Sequence, residues 1–404
     1  MISKALRVGA TLLTLVSSAM GQTPSRAGEI QAAREAKARN IQPEAPSALQ
    51  KFLEKLHVQK IAARFNAGAG GFRVKTGGLL TNQGFALGPE YRRNFLNDQI
   101  VFHGSARGSL QKAYLMDLGL EAPRLADDHL FADFHATHVD YPRVEYYGPG
   151  PKSQNSGHSV YRLEDTAFDV RAGVRPIRRL SLGATGRYLL VNVGPGVHDE
   201  FVSADKIYTE ATAPGISKQT NFLRGGVFAQ YDYRDNPDRP RSGGNYVAQV
   251  FTYSDRELHR NSFNRLDLEA QQYLSFFNGR RTLALRGRSI LTDPHRGQVV
   301  PFYLQPYLGG GNDLRGFPPF RFYDSNSILF NAEYRWAIFN GLDMALFADT
   351  GKVFHRMPEW NIHHMQADFG FGFRPYINGK VAARIDVGFS HEGYHIWLKF
   401  ENIF

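Results

Sequence analysis

Apolar and polar residues alternate with a period of two along most of this 404-residue chain, starting near residue 65. A segment near the C-terminus illustrates the pattern: Ile385 and Val387 lie on one face of a predicted strand, and Arg384 and Asp386 lie on the other. A charged side chain facing lipid would cost about 2–4 kcal/mol near the bilayer midplane, whereas a water-filled lumen solvates it. The alternation therefore predicts a transmembrane β-barrel with apolar residues outside and polar residues inside.

About sixteen segments follow this pattern, so we expect an all-β, antiparallel barrel of about sixteen strands. Their approximate bounds are 65–75, 84–93, 99–109, 112–120, 129–140, 158–173, 180–191, 221–234, 245–254, 263–277, 281–291, 327–339, 342–354, 365–376, 380–389 and 394–404. A soluble β-sandwich or propeller is the alternative fold. The N-terminal export signal and the final strand, both described below, argue against it.

The connections between these segments alternate between short and long. Asn278-Gly279, Asn340-Gly341 and Asn378-Gly379 are tight turns of the Asn-Gly type. The long connections are 141–157, 194–220, 292–326 and 355–364. Outer-membrane barrels have short periplasmic turns and longer outer loops, and an even strand count places both ends of the barrel on the periplasmic side. The loop 292–326 is therefore predicted to start from the outer side, between the eleventh and twelfth strands.

The first 21 residues have the composition of an export signal, with Lys4 and Arg7 ahead of the apolar run 8–16 and a small-x-small site at 19–21. This apolar run is shorter than the ~20 residues that a spanning helix needs. Residues 22–64 are predicted to be flexible, with an amphipathic helix at 47–61 that is interfacial, plugs the lumen, or links to the barrel rim. We therefore expect a signal peptide at 1–21, this helical segment at 22–64 and the barrel at 65–404.

The composition is that of an exported membrane protein. Aromatic residues make up 13% of the chain, which fits the aromatic girdles of a barrel. Cysteine is missing from the sequence, so there is neither a disulfide framework nor a lipoprotein anchor residue. The net charge of +10 fits an arginine-lined lumen or binding to anionic headgroups or acidic saccharide, and the sequence contains no nucleic-acid-binding module.

The loop 292–326 carries the sequence Leu-Arg-Gly-Phe at 314–317, and the next two strands carry Glu333 and Asp349. Parity places Glu333 and Asp349 on the inner face of those strands. A loop that folds inward would put Arg315 between the two carboxylates, where charge-assisted, bidentate pairing is available. This buried arrangement of charges either holds the loop inside the lumen or only makes the barrel more rigid. The predicted loop anchor consists of Arg315, Gly316, Phe317, Glu333, Phe347, Asp349 and Gly351.

The last predicted strand ends on an aromatic residue, with five apolar side chains at alternating positions on one face. Asn402 is a polar exception on that face. A terminal strand of this kind resembles the targeting signal of outer-membrane barrels. Its predicted residues are Tyr394, Ile396, Leu398, Phe400 and Phe404.

Together these features resemble the BamA/TamA superfamily of bacterial surface antigen barrels. The Leu-Arg-Gly-Phe sequence after Gly309-Gly310-Gly311 is similar to the family's inward-folded loop, and Glu333 and Phe347-x-Asp349-x-Gly351 are similar to its partners on the twelfth and thirteenth strands. The sequence at 232–237, followed by 240–243, resembles a periplasmic turn that is common in these barrels. The resemblance covers residues 65–404. Family members usually carry periplasmic POTRA domains before the barrel, and residues 22–64 are too few for one, so the chain resembles a POTRA-less member.

The resemblance implies a barrel that inserts or translocates proteins at the outer membrane, without chemical catalysis and without a cofactor. Membrane lipid and unfolded outer-membrane proteins are the expected partners. Glycines 68, 70 and 71 weaken the first strand, so we expect a weak seam between the first and last strands. Two alternatives stay open: a passive pore whose inner arginines favour anions, and a barrel that transfers or scrambles lipid. The arginines of the pore hypothesis are Arg286, Arg288 and Arg384.

The sequence contains no recognisable enzymatic motif. It has no G-x-S-x-G nucleophile elbow, and the Gly309–Gly311 run lacks the Gly-Lys-Ser/Thr of a phosphate loop. The pairs His135-x-x-His138 and His363-His364 have no third ligand at a convincing spacing. We therefore interpret these histidines as rim or loop residues, expect no metal site, and predict that the chain is not an enzyme.

Overall fold

The computed structural model describes residues 70–339, 341–377, 380–381, 383–400 and 404. The predicted signal peptide, the helical segment 22–64, the first residues of the first strand, Asn340, the turn 378–379 and Asn402 lie outside the described residues. None of the described residues belongs to a helix long and apolar enough to cross a membrane.

Sixteen strands form one sheet within the described part of the chain. In chain order they are β1 (Phe72–Thr76), β2 (Ala86–Phe95), β3 (Ile100–Ser109), β4 (Tyr114–Leu125), β5 (Leu130–Tyr146), β6 (Ser159–Ile177), β7 (Leu180–Pro195), β8 (Phe222–Asp232), β9 (Gly243–Asp255), β10 (Phe263–Phe276), β11 (Arg281–Pro294), β12 (Asn326–Phe339), β13 (Leu342–Phe354), β14 (Gln366–Ile377), β15 (Lys380–Val381 and Arg384–Ser390) and β16 (Gly393–Lys399). Short 3-10 turns lie in the loops at Asn155–Gly157, Ala204–Lys206, Phe302–Leu304 and Met357–Glu359. The predicted all-β fold of about sixteen antiparallel strands is confirmed.

Each strand pairs antiparallel with the next one in the chain, from β1–β2 through to β15–β16. Antiparallel neighbours can be joined by very short turns of the Asn-Gly type. At the turn between β10 and β11, for example, Asn278 and Gly279 have φ angles of 55° and 78°. The order of the strands in the sheet is therefore their order in the sequence.

The two faces of the sheet differ in the way that the alternation predicts. On β4, Met116 and Leu118 each expose 52% of their surface. The side chain of Asp117, which lies between them and points the other way, exposes 12%. An apolar belt this exposed is the surface that a barrel presents to lipid, whereas the other face lines the interior.

Several strands extend further at their outer ends than the sequence predicted. The strand β5 continues to Tyr146 rather than ending near residue 140. The ring of Tyr146 packs against Tyr208, Phe302 and Tyr323, with ring centres 4.8, 5.1 and 5.1 Å away. These three partners come from long loops, so aromatic packing of the outer loops, rather than lipid, stabilises the extra residues of the strand.

Candidate functional site

The loop between β11 and β12 folds back along the inner face of the sheet. Its residues Leu314, Arg315 and Phe317 are fully buried, each with 0% of its surface exposed. Near the base of the loop, Tyr307–Leu308 pairs with Phe322–Tyr323 in a short antiparallel ladder. The loop is therefore a folded unit with its own backbone pairing and a buried tip.

Two carboxylates hold the guanidinium of Arg315. The Nε and Nη2 atoms donate hydrogen bonds of 2.8 and 2.9 Å to the two carboxylate oxygens of Asp349, and Nη1 donates one of 2.6 Å to Glu333. The pairing with Asp349 is bidentate, so it fixes the plane of the guanidinium as well as adding energy. The Cζ atom of Arg315 also lies 3.4 Å from the centre of the Phe347 ring, which supports the cation from one side.

The strands β15 and β16 hold the backbone of the same loop. The indole Nε1 of Trp397 donates a 2.7 Å hydrogen bond to the carbonyl oxygen of Arg315, and the hydroxyl of Ser390 donates one of 2.6 Å to that of Gly316. A Cβ atom on Gly388 would overlap the Arg315 carbonyl. Glycine at this position therefore allows the loop to approach β15 closely.

Glu333 also belongs to a wider buried network of charges. It accepts hydrogen bonds of 2.7 Å from Arg335 and 2.9 Å from Arg374. Arg374 in turn lies 2.6 Å from a carboxylate oxygen of Asp386, which is 3.7 Å from Nη1 of Arg315. Each of these charges has an opposite partner within the network, which offsets part of the cost of burying it. Removing one member would leave its partners buried and uncompensated, at a cost of about 3–5 kcal/mol.

Apolar side chains fill the space around these charges. The members of this buried cluster are Leu308, Leu314, Phe317, Phe322, Leu329 and Val353. A Cβ atom on Gly351 would come within 3.0 Å of Leu308, so this glycine leaves room for the loop. The tip of the loop is therefore held by apolar packing as well as by charge.

The structure brings Arg315, Glu333 and Asp349 into direct contact, and Gly316, Phe317, Phe347 and Gly351 all lie against this group or the loop. The predicted loop anchor does not include Arg335, Arg374 and Asp386, which also belong to this network. Parity does place all three on the inner face. Their pairing, however, depends on the register of β12, β14 and β15 and on the path of the loop.

Two of the three arginines behind the pore hypothesis contact the loop instead of lining open space. Arg384 is fully buried, and its Nη2 atom donates 2.6 Å hydrogen bonds to the carbonyl oxygen of Gly311 and the side chain of Asn312. Arg286 pairs with Glu269 at 2.9 Å and donates a 3.0 Å hydrogen bond to the carbonyl oxygen of Asn312. These side chains thus add to the attachment of the loop.

The apolar residues at the C-terminus divide between the two sides of the sheet. Four of them face outward and expose half or more of their surface: Tyr394, Ile396, Leu398 and Phe400. Phe404 is instead buried in the interior, with its ring centre 6.2 Å from that of Tyr273 on β10. The expectation that Phe404 shares the outer face is therefore wrong. Within the described residues the regular strand ends at Lys399.

The junction of β16 with β1 differs from every other strand boundary. Among the described residues, no ladder joins β16 to β1, whose five residues pair with β2. Side-chain contacts between described residues do cross the gap: Lys399 donates a 3.0 Å hydrogen bond to Thr81, and the rings of Phe85 and Phe400 lie 5.8 Å apart. A cavity of about 620 Å³ lies there, lined mainly by residues 76–86 and 397–400. We call β1, β16 and the connecting segment 77–85 the seam.

An up-and-down sheet with an apolar outer face and a charged, loop-filled interior defines an outer-membrane β-barrel. Residues 96–375 match the Omp85 superfamily domain. The chain therefore belongs to the Omp85 superfamily, which confirms the resemblance to BamA/TamA-type barrels. A comparison with curated proteins finds no match.

Solved structures agree with this assignment at the level of the fold. BamA from Haemophilus ducreyi lacking POTRA domains 1–3 superposes with a TM-score of 0.58 and is 11% identical, over 90% of this chain and 80% of that chain. CdiB from Escherichia coli superposes with a TM-score of 0.50 and is 13% identical, over 82% of this chain and 60% of CdiB. At these identities the likeness establishes a shared barrel fold.

Proposed function

We propose that this barrel promotes the insertion or translocation of proteins at the outer membrane, using membrane lipid and unfolded outer-membrane proteins as partners and no chemical catalysis. The seam is the observation that carries the proposal. Each of the other strand boundaries carries an antiparallel ladder, some of them with a bulge, whereas no ladder joins the described residues of β16 and β1. Side-chain contacts instead link Lys399 and Phe400 to the segment 77–85.

A strand edge without a ladder supplies a physical reason for binding an incoming strand. Unpaired backbone N–H and C=O groups in a hydrocarbon environment cost several kcal/mol each. An unfolded segment that adds to the edge of β16 satisfies these groups and its own at the same time. The edge of β16 would therefore template the first strand of a client.

The anchored loop supports a division of labour between the two sides of the seam. Trp397 of β16 is bonded to the backbone of Arg315, and Arg315 is bonded to β12 and β13. The strand β16 is thus tied to a buried network, whereas β1 has five residues and one laddered neighbour among the described strands. In this proposal β16 is the fixed template and β1 is the part that moves away.

A lipid transfer or scrambling activity is the second candidate, because the cavity of about 620 Å³ at the seam joins apolar residues such as Leu79 and Phe400 to polar ones such as Thr81 and Lys399. An amphipathic lining of this kind suits a lipid headgroup and its acyl chains. The passive anion pore has less support, since Arg286 and Arg384 bind the loop.

Reconstitution in liposomes tests these candidates together. The purified barrel would be added to vesicles, and the folding rate of an unfolded outer-membrane protein would be followed by its heat-modifiable migration on gels. The same vesicles would be assayed for lipid flip and for ion flux. Faster client folding supports the proposal; lipid flip or anion-selective flux without faster folding would replace it with the corresponding alternative.

A further inference from the structure

Two histidines and two carboxylates surround Gly119 on the inner face of β3, β4 and β5. In the register of these strands, His103 and His135 are the partners of Gly119 on either side. Asp117 and Glu121 lie two residues before and after Gly119 on β4, so they share its face. The four side chains therefore converge over a position that has no side chain of its own.

Each carboxylate lies between the two imidazole rings. A carboxylate oxygen of Asp117 is 2.9 Å from Nε2 of His103, and the other is 3.9 Å from Nδ1 of His135. Glu121 faces the remaining ring nitrogens, 3.6 Å from Nδ1 of His103 and 4.0 Å from Nε2 of His135. The two rings thus present one nitrogen each to Asp117 and one each to Glu121.

Two further observations indicate that this cluster suits a cation. His103 exposes only 5% of its surface, and its buried Nδ1 atom has no hydrogen-bond partner among the described residues, although it is directed at Glu121. A Cβ atom on Gly119 would overlap the ring of His103. When Nε2 of His103 binds a metal ion, Nδ1 carries the ring proton and faces Glu121, and Gly119 leaves the space that the ring occupies.

We propose that His103, His135 and Asp117 bind a divalent transition metal ion, with Zn²⁺ the best match, and that Glu121 positions the ring of His103. Imidazole nitrogen and carboxylate oxygen are zinc ligands, whereas Ca²⁺ and Mg²⁺ take oxygen ligands. Metal–ligand distances of about 2.0–2.2 Å in a tetrahedral site separate neighbouring ligand atoms by roughly 3.3 Å. The 2.9 and 3.9 Å separations bracket that value, and the three ligand atoms all lie within 4.8 Å of one another.

The remaining coordination position would face the lumen. His135 lines an interior cavity of about 500 Å³, which gives a metal ion a path to the site and room for a water ligand. Glu121 would accept a hydrogen bond from the non-coordinating nitrogen of His103, as carboxylates commonly do behind a metal-bound histidine.

The expected consequence is a clamp across three consecutive strands. Each ligand belongs to a different strand, so pulling β3, β4 and β5 apart would break metal–ligand bonds as well as backbone hydrogen bonds. The site is independent of the function proposed above, since it would stiffen the N-terminal part of the barrel in a pore or a lipid transporter as well.

This pairing explains why the spacing of histidines along the sequence was uninformative. His138 is three residues from His135 and therefore on the opposite face of β5, where its ring lies 2.8 Å from the hydroxyl of Thr166. The partner that reaches His135 is His103, which is separated from it by a whole hairpin. His138 consequently serves as a matched control.

Zinc binding by the untagged, full-length barrel tests the proposal. After stripping with a chelator, the protein in detergent would be dialysed against Zn²⁺ and its metal content measured. We expect one Zn²⁺ per chain, a loss of that site in His103→Asn and in His135→Asn, and wild-type binding in His138→Asn. Glu121→Gln should weaken binding about 10- to 100-fold, the usual effect of removing a partner behind a ligand.

A measurement on the unmodified chain guards against misfolded variants. Co²⁺ in place of Zn²⁺ should give the visible absorption bands of a tetrahedral site with nitrogen ligands. Wild-type protein that binds less than one metal ion, binding that persists in both His103→Asn and His135→Asn, or a Co²⁺ spectrum of the hydrated ion would each overturn the proposal.

Discussion

The wall formed by β12–β15 and the seam between β16 and β1 show two ways of holding a barrel together. In the wall, buried side chains connect the loop to several strands through matched charges, and Arg315 alone bonds to two of them. At the seam, one hydrogen bond between Lys399 and Thr81 and one ring contact cross the gap among the described residues. Buried contacts between described residues are therefore concentrated in the wall, and we expect the seam to be the part of the barrel that rearranges.

Replacing Arg315 should have the largest effect on this contrast. The change Arg315→Ala leaves Glu333 and Asp349 buried without their cation, which costs about 3–5 kcal/mol. We expect the loop to detach from the inner face of the sheet. Limited proteolysis followed by mass spectrometry should then detect new cleavage within residues 305–325.

Two variants separate this effect from a general loss of charge. Arg296→Ala removes an exposed arginine of the same loop and should leave the cleavage pattern unchanged. Arg315→Lys keeps the charge but loses the bidentate geometry, so its cleavage should be intermediate. Unchanged protease access in Arg315→Ala would contradict an anchored loop.

A methyl group at Gly388 should loosen the wall without removing any charge. Because the added atom would overlap the carbonyl oxygen of Arg315, Gly388→Ala should destabilise the seated loop by about 1–3 kcal/mol. The hydrogen bond from Trp397 to that carbonyl should then lengthen. In a variant with Trp336 and Trp360 replaced by Phe, the emission of Trp397 should therefore shift, because the environment of its indole ring changes.

Gly186→Ala is the matched control, since an added methyl group there meets no atom within 4 Å. Identical Trp397 emission in wild type and in Gly388→Ala would show that the loop does not depend on this close approach.

A change at Thr81 should have the smallest effect and act on the seam alone. Thr81→Val removes the hydroxyl that accepts a hydrogen bond from Lys399, worth about 0.5–1.5 kcal/mol. Amide hydrogen exchange should accelerate by a few-fold in residues 72–86 and stay constant in residues 305–325. Thr81→Ser keeps the hydroxyl and should behave like wild type. If Thr81→Val accelerated amide exchange equally in both regions, the wall and the seam would not differ in the way described.

The fold was largely predictable because lipid imposes a simple rule on the outer face. Met116 and Leu118 had to alternate with residues such as Asp117, so periodicity alone located the strands and their order. The alternation no longer predicts the structure beyond the part of each strand that contacts lipid. Tyr146 extends β5 through packing with loop residues, and the ring of Phe404 is buried against Tyr273 in the interior.

The candidate site was predictable only in part. Arg315 and its acidic neighbours share a local sequence pattern, whereas Arg374 and Asp386 join them through the register of distant strands. The same holds for the proposed metal site, because the meeting of His103 and His135 over Gly119 depends on how two hairpins align. Parity assigns a face to each residue, but only the register assigns its neighbours.

The most direct test of the account asks whether the seam is the working edge of the barrel. The chain has no cysteine, so pairs can be introduced without interference. Phe85→Cys with Phe400→Cys replaces an aromatic pair 5.8 Å apart across the seam, and Phe369→Cys with Phe389→Cys replaces one 5.9 Å apart on laddered β14 and β15. Each double variant would be joined by a short bismaleimide and assayed for client folding in liposomes. We expect that joining the seam abolishes the acceleration of client folding, whereas joining the laddered pair preserves it. Undiminished acceleration with the seam joined would show that the seam is not the working edge.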